Sequence, residues 1–596
     1  MTAHEALKTY FGYDNFRPLQ EEIIQSILDG RDTLALMPTG GGKSLCFQVP
    51  TMAMGGLCLV ITPLIALMKD QVENLRRRDI RAAAIYTGMT YEQQKVALDN
   101  CQWGPYHFLY VSPERLESEE FRERLARLPI CLIAVDEAHC ISQWGYDFRP
   151  SYLKIAEIRE VIRGERQKGD EARRQAVPIL ALTATATPDV VDDIQERLAF
   201  REKNVLRKSF LRQNLSYVVR QTNKKADEIV HILSRVPGSA IVYVRNRQRA
   251  QELAAYLNEK GLSADFYHAG LTSKERAAKQ EAWRAYPPPL PKGKGVTRVM
   301  VSTNAFGMGI DKPDVRMVIH HDLPDTIEAY FQEAGRAGRD EQRAFAVLLY
   351  DPSQDKAKAR KRIADNYPPK EFVTDVYHKT CDFLGVGAGS GQGHTFMLPI
   401  NDLCRIMHLP ILQTYSALHL LTQAGYICFQ EEQEIQPRVK ILISQREMNE
   451  YGLSEQQYKL LELLMRKYSG IFTDLQYVHF DQLTTPITNS PSPMANRQSL
   501  DDLLVSLAQR HIITYIPHDT ANTLTFTRER QTDIYLPTTI YDNHRQQYIE
   551  KLKAMVEYAD NQLYCRSQLL LSYFGETDAA TCGTCDVCRQ KTKTQC

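Results

Sequence analysis

A glycine-rich turn between a strand and a helix constrains this chain more than any other feature. Thr33 to Met37 reads as a short buried strand, Pro38-Thr-Gly-Gly-Gly-Lys-Ser44 follows, and Leu45-Cys-Phe-Gln48 reads as the start of a helix. Successive glycines let backbone N–H groups turn inward around phosphate oxygens, and the helix N-terminus adds a favourable dipole. Thr39, Gly40, Gly41 and Gly42 would line that cradle. Lys43 would reach the β/γ phosphates of a nucleotide, and Ser44 would reach Mg²⁺. The strict pattern wants a glycine where Met37 stands. A strand, phosphate loop and helix in this order belong to a parallel sheet, so the expected fold class is α/β.

A second stretch supplies the chemistry that such a loop needs. Leu132 to Val135 is a short apolar run that reads as a buried parallel strand. Asp136 and Glu137 leave its C-terminal end, where ligands bind in open α/β sheets. One of two such carboxylates can hold Mg²⁺, and the other can polarise an attacking water. His139 follows, then a loop carrying Trp144, Tyr146, Phe148 and Arg149. Aromatic rings beside a guanidinium form a surface on which unpaired bases can stack. Taken alone, the segment reads equally well as a core strand with an aromatic loop packed on its own domain.

At 596 residues the chain is too long for one core, and two to four domains are expected. Net charge is +1, so any nucleic-acid surface must be a local basic patch. No apolar run reaches the roughly 20 residues that span a bilayer, and Met-Thr-Ala-His-Glu5 has no signal-peptide pattern. The expected location is therefore cytoplasmic, with no membrane partner. The 13 cysteines should be mostly reduced there, and clustered ones point to metal.

In chain order, Phe16-Arg-Pro-Leu-Gln20 precedes an amphipathic helix, Glu21 to Leu28. Gln20 can bond both edges of an adenine, and Tyr13 and Arg17 could sandwich the ring. The plainer reading is a helix start with Pro18 near its first turn. Leu57 to Thr62 and Phe108 to Val111 are further strands. Exposed hydroxyls and amides at their ends, toward Pro63–Gln71 and Ser112–Arg115, could hold a sugar–phosphate chain. Thr183-Ala-Thr-Ala-Thr187 ends the strand Ile179–Leu182, where a sensor could link nucleotide state to a second domain. The charged run 159–174 reads as a solvated helix and loop.

A second α/β pattern begins near Asn214, with strands at Ser239–Val244, Arg298–Ser302 and Met317–His320. The loop Thr303–Pro313 carries Gly309 and Asp311, taken as further nucleotide contacts. Tyr330-Phe-Gln-Glu-Ala-Gly-Arg-Ala-Gly-Arg-Asp340 places Gln332, Arg336 and Arg339 at helical spacings that can face one cleft. Arginine suits planar contact with phosphate, and Arg339 is the expected arginine finger, with Arg336 beside it.

The ordered set from Phe16-Arg-Pro-Leu-Gln20 to Gly-Arg-Ala-Gly-Arg-Asp340 resembles a superfamily 2 helicase, in which the departure at Met37 is usual. Asp136-Glu-Ala-His-Cys-Ile-Ser-Gln-Trp-Gly-Tyr-Asp-Phe-Arg-Pro150 is more specific and resembles the RecQ DNA helicases. The likeness covers roughly residues 1–355. It implies two RecA-like lobes with ATP and Mg²⁺ between them, and 3′-to-5′ DNA unwinding. It assigns nucleotide contacts to Tyr13, Arg17, Gln20, Lys43 and Ser44, and hydrolysis to Asp136 and Glu137, with Asp136 beside Ser44 at the magnesium. It assigns coupling to His139, Trp144, Phe148 and Arg149.

The C-terminal third departs from that family's usual order. Cys565-x16-Cys582-x2-Cys585-x2-Cys588 suits a tetrahedral Zn²⁺ site, and the segment from Arg545 to Gly575, with Tyr573-Phe-Gly-Glu576, resembles the helical part of the RecQ zinc module. In the familiar layout that module directly follows the second lobe, whereas here it ends the chain. Between them, Leu403 to Gly425 is helix–turn–helix-like, followed by strand-like Tyr426–Phe429 and Val439–Ile443, an order that reads as a winged helix. Leu500–Gln509, His511–Ile516 and Thr523–Thr527 repeat it more weakly, and small interaction domains would read the same way. The glycine-rich stretch 384–393 reads as a flexible joint. No helical HRDC pattern follows Cys588.

The expected domains are 1–208 and 209–355 for the two lobes, 370–445 for a winged-helix-like domain, 446–540 for a second such region, and 541–592 for a helical hairpin with a four-cysteine zinc module. The expected function is an ATP-dependent 3′-to-5′ DNA helicase of recombination and repair. It would act as a monomer on single-stranded and partially duplex DNA, with single-strand-binding or repair proteins as candidate partners. The alternatives are an RNA helicase, and a DNA-binding ATPase switch or annealing protein without processive unwinding.

Overall fold

The computed structural model describes residues 1–38, 40–86, 89, 91–142, 149–167, 177–286, 296–306, 312–431, 437–444, 447–449, 451–468, 470–473, 475–478, 497–516 and 522–594. Residues 1–89, 93–359 and 549–596 form one compact unit, and 90–92 with 360–548 form another.

The first unit holds two parallel sheets. Strands β1 (Thr33–Leu36), β2 (Leu57–Ile61), β3 (Ala82–Ile85), β4 (Phe108–Val111), β5 (Ile130–Val135), β6 (Ile179–Thr183) and β7 (Val205–Arg207) lie in the order β3-β4-β2-β5-β6-β1-β7. Every residue of β1, β2, β4 and β6 is buried. That is why these strands read as unbroken apolar runs: helices cover both faces of such a sheet. Strands β8 (Leu215–Gln221), β9 (Ser239–Tyr243), β10 (Ala264–Tyr267), β11 (Val299–Ser302), β12 (Val315–His320) and β13 (Ala344–Tyr350) form the second sheet, ordered β10-β11-β9-β12-β13-β8. These are the two RecA-like lobes.

The C-terminal helices Asp542–Asp560 and Arg566–Tyr573 do not form a body of their own. From residue 549 onward they join the first unit. Phe574 is fully buried, 5.4 Å from Phe210 and 5.0 Å from Phe331 between ring centroids. Tyr330 and Tyr558 pack at 5.4 Å, and the Tyr350 hydroxyl donates to Asp560 at 2.9 Å.

The second unit contains two antiparallel sheets. Strands β14 (Thr395–Leu398), β15 (Ile427–Gln430), β16 (Arg438–Ile441), β17 (Gln476–Tyr477), β18 (Ile513–Ile516) and β19 (Asn522–Phe526) pair as β14-β19-β15 and β17-β16-β18. The helices Ile400–Ile406 and Ile411–Gln423 share a core with the first of these sheets. The strand at Val439, expected beside this helical pair, instead pairs with Ile513–Ile516. The strand at Thr523, expected with the later helix, pairs with β14 and β15. The second sheet is therefore inserted between β15 and β19, two neighbours of the first.

Two further expectations change. Arg159 is buried rather than solvated, because its guanidinium pairs with the buried carboxylate of Asp32 at 2.8 Å; residues 168–176 lie outside the described residues. The glycine-rich stretch is tied down by backbone bonds, Gly389 N–H to Arg530 O at 3.2 Å and Gly393 N–H to Phe526 O at 2.8 Å. Among the described residues, no helix is long and apolar enough to cross a membrane.

Candidate functional site

The order β5-β6-β1 brings three strand ends side by side. The phosphate loop leaves β1, the paired carboxylates leave β5, and Thr183 ends β6. Gly40 and Gly42 sit at φ +81° and +79°, conformations that glycine adopts without strain. Gly42 is also crowded, since a Cβ there would come within 2.4 Å of Gln20 Nε2. Gln20 donates to Gly42 O at 3.0 Å and accepts from Arg17 N–H at 2.8 Å, while the Arg17 guanidinium donates to Gly40 O at 2.9 Å. Arg17 and Gln20 thus brace the loop from one side. Tyr13 is exposed nearby in sequence, and Thr39 lies outside the described residues.

Ser44 precedes the helix Leu45–Met54, and its hydroxyl accepts from Gln71 Nε2 at 2.9 Å. Gln71 lies on the helix Ile65–Arg76 and was not singled out from sequence. An amide at the second turn of a helix carries no motif signal by itself.

Asp136 and Glu137 are driven apart electrostatically. Burial and the neighbouring Glu137 push Asp136 up to about 6. Burial also works against ionised Glu137, but the charges of Lys43, His139 and Arg336 outweigh it and hold that carboxyl below its ordinary value. Two carboxylates with opposed shifts are a recurrent acid–base arrangement. Glu137 takes φ +47°, a strained conformation for a side-chain-bearing residue, and strain of this kind clusters at functional sites. His139 Nδ1 lies 3.4 Å from Glu137 Oε2 and 3.0 Å from Thr183 Oγ1. The carboxylate is thereby linked to the Thr183–Thr187 segment.

The second lobe approaches the same loop. A Cβ on Gly40 would lie 3.3 Å from Arg339 Cγ, so the arginine side chain rests against the loop backbone. Arg336 is buried, and its charge reaches Glu137. Among the described residues its Nε has no hydrogen-bond partner, which suits an anionic ligand. Gln332 is also buried. The expected helical spacing does not extend to the arginines. The helix Ile327–Ala334 stops, and Arg336 and Arg339 lie on the turns after it. Gly338 at φ +62° has no room for a Cβ, with Asn214 Nδ2 only 2.6 Å away. The Arg212 guanidinium donates to Ala337 O at 3.0 Å and Gly338 O at 2.7 Å, so these carbonyls are satisfied outside a helix.

Of the remaining predicted residues, Arg149 donates to Pro63 O at 3.4 Å and lies 3.9 Å from Glu114, next to the strand-end segments. Ser112 is buried, so its hydroxyl is not the exposed contact that the sequence suggested. Trp144, Tyr146, Phe148, Gly309 and Asp311 lie outside the described residues.

A second site lies in the C-terminal helices. The sulfur atoms of Cys565, Cys582, Cys585 and Cys588 all fall within 4.8 Å of one another. Gly583 at φ +66° makes the tight turn between ligands, and the Arg566–Asp586 pair at 3.0 Å joins the helix starts on either side. Four converging thiols fit a tetrahedral zinc ion.

Two parallel-sheet lobes sharing one phosphate loop, with carboxylates on one and arginines on the other, define a P-loop core of the helicase class. Residues 17–194 match the DEAD/DEAH box helicase family, 224–341 match the helicase conserved C-terminal domain, and 521–589 match the RecQ zinc-binding family. The chain is similar to the RecQ helicases, with the match to the RecQ zinc-binding family toward its C-terminal end. It is 41% identical over 353 residues to the ATP-dependent DNA helicase RecQ of Haemophilus influenzae, covering 59% of this chain and 54% of that protein. It is 40% identical over 353 residues to the probable ATP-dependent DNA helicase RecS of Bacillus subtilis, covering 58% of this chain and 66% of that protein. The RecQ-like DNA helicase blm-1 of Caenorhabditis elegans is 37% identical over 374 residues, 61% of this chain and 36% of that protein. The match thus spans about half the length of the Haemophilus relative.

Proposed function

We propose that this chain is an ATP-dependent DNA helicase that tracks 3′ to 5′ along one strand and opens the duplex. The reading rests on one observation: groups from both lobes converge on one phosphate loop, with Lys43, Asp136 and Glu137 from the first and Arg336 and Arg339 from the second. A site divided across a joint ties nucleotide state to the spacing of the lobes. Relatives named as DNA helicases match the same core, which supports the reading.

In this reading Tyr13, Arg17 and Gln20 hold the adenine, and Thr39, the three loop glycines, Gly309 and Asp311 contact the nucleotide. Lys43 holds the β/γ phosphates. Ser44 and Asp136 would hold Mg²⁺, which when bound neutralises phosphate charge. Glu137, kept ionised by its cationic neighbours, accepts a proton from the attacking water. Arg339 stabilises the charge that develops on the transferred group, with Arg336 and Gln332 completing the cleft. His139 passes the state of Glu137 to Thr183, while Trp144, Phe148 and Arg149 report bound DNA. The helix–turn–helix-like pair and its inserted sheet form winged-helix-like modules that engage the duplex. The protein works as a cytoplasmic, nucleoid-associated monomer on single-stranded and partially duplex DNA, beside single-strand-binding or repair proteins.

The deciding experiment is strand separation on a partial duplex with a 3′ tail beside its 5′-tailed counterpart, with and without ATP and Mg²⁺. Opening of only the 3′-tailed substrate supports the proposal. ATPase activity without opening favours a switch or annealing protein, and stronger stimulation by RNA than by a matched DNA strand favours an RNA helicase. Trp144→Ala should keep nucleotide binding and lose much of the DNA stimulation of ATPase; unchanged stimulation counts against coupling through that loop.

A further inference from the structure

We infer that Glu576, in the zinc-binding module, is a positioning residue for Arg336 and Arg339, acting through the linker between the lobes. The inference builds on the ATPase reading above and adds a residue outside both lobes. Glu576 Oε1 accepts the Phe210 N–H at 2.8 Å, and Oε2 accepts the Ser209 hydroxyl at 2.7 Å. Both partners belong to the short segment that leaves β7 and enters β8. Two residues further on, Arg212 donates to Ala337 O and Gly338 O, and Asn214 Nδ2 donates to Gly338 O at 2.7 Å and Gln342 O at 2.9 Å. The turns that carry Arg336 and Arg339 therefore hang on the linker, and the linker is gripped by Glu576.

The neighbouring contacts set the geometry of that grip. Arg207 donates to Phe574 O at 3.2 Å. Gly575 sits at φ +85°, where a Cβ would come within 3.1 Å of Pro188 Cγ, so the module backbone runs close against the first lobe. Phe574 wedges between Phe210 of the linker and Phe331 of the helix that ends before the arginines. Packing of those rings needs no carboxylate. A half-buried carboxylate that takes both a backbone N–H and a hydroxyl of one linker sets the linker's position and not merely its burial. Small displacements of a catalytic group cost much rate, so the grip should appear in turnover more than in nucleotide affinity.

The test compares Glu576→Ala and Glu576→Gln with the wild-type full chain. Zinc content, nucleotide binding by a fluorescent ADP analogue, ATPase kinetics and amide exchange are read on the same samples. For Glu576→Ala we expect one zinc per chain, nucleotide affinity within about twofold, and kcat lowered by about tenfold with little change in KM. Exchange should quicken at Phe210 and at Ala337–Arg339. Glu576→Gln keeps one acceptor oxygen and should recover part of the lost kcat. Wild-type kcat in Glu576→Ala, or a fall that only follows lost zinc or lost folded protein, overturns the inference. If the wild-type chain hydrolyses no ATP, the functional reading fails by itself. The exchange at Ala337–Arg339 then decides the linkage: faster in Glu576→Ala supports it, and unchanged rejects it.

Discussion

Residues 360–548 and 549–596 adjoin in sequence and differ in where their apolar surface goes. Met555, Tyr558, Leu570, Leu571 and Phe574 share one continuous core with Phe210, Tyr217 and Phe331 of the helicase lobes. The longer segment instead closes two cores of its own, one around Tyr377, Leu421 and Phe526 and one around Val439, Leu460 and Leu504. Chain order is thus a poor guide to association. The zinc-binding module follows a large insertion yet packs against the second lobe. Loop-closure entropy grows only slowly with length, so a well-folded insertion costs little if the docking face is kept.

The comparison can be strained from its strongest element downward. Lys43→Ala should reduce ATP turnover by at least about a thousandfold, while thermal unfolding of the 360–548 unit stays where it was. A shift in that transition would mean the units are not separate in stability. Cys585→Ser should abolish stoichiometric zinc and speed amide exchange through 549–596, because metal binding there is folding energy. Full zinc content would reject Cys585 as a ligand, and faster exchange at Leu460 or Leu504 would break the division. Phe574→Ala and Phe526→Ala each empty a fully buried site and should each cost about 3–5 kcal/mol. Calorimetry should assign the first loss to the helicase unit and the second to the 360–548 unit, with turnover per folded molecule falling only for Phe574→Ala. The smallest change is Ser454→Ala. Ser454 and Gln457 form a capping box at the helix Glu455–Lys467, and its removal should cost about 1 kcal/mol, measurable by denaturant unfolding and silent in ATPase.

Legibility tracked how local the cause was. The phosphate loop, the carboxylate pair and the four cysteines were readable because each needs particular residue types at short spacing. The parallel strands were readable because burial on two faces leaves unbroken apolar runs. Arg159 was misread as solvated because its partner Asp32 is remote in sequence and nothing local marks the pairing. Val439 and Thr523 were placed with the wrong neighbours because a short strand carries no record of which edge it completes. Gln71 and Arg212 carry no local mark for a related reason: each acts by meeting one backbone group or hydroxyl at a single point in space.

The sequence by itself determined the α/β class, the two-lobed core with its glycine-rich loop, and the four cysteines that converge near the C-terminal end. Those follow from periodicity, from glycine's conformational freedom and from ligand chemistry, all of which act over a few residues. Only the tertiary structure decided that the arginine turns hang on the linker, that the late strands exchange partners, and that the zinc-binding module belongs with the lobes. Those outcomes depend on which buried surfaces and unpaired polar groups meet across hundreds of residues, and burial rewards a complementary face wherever in the chain it arises.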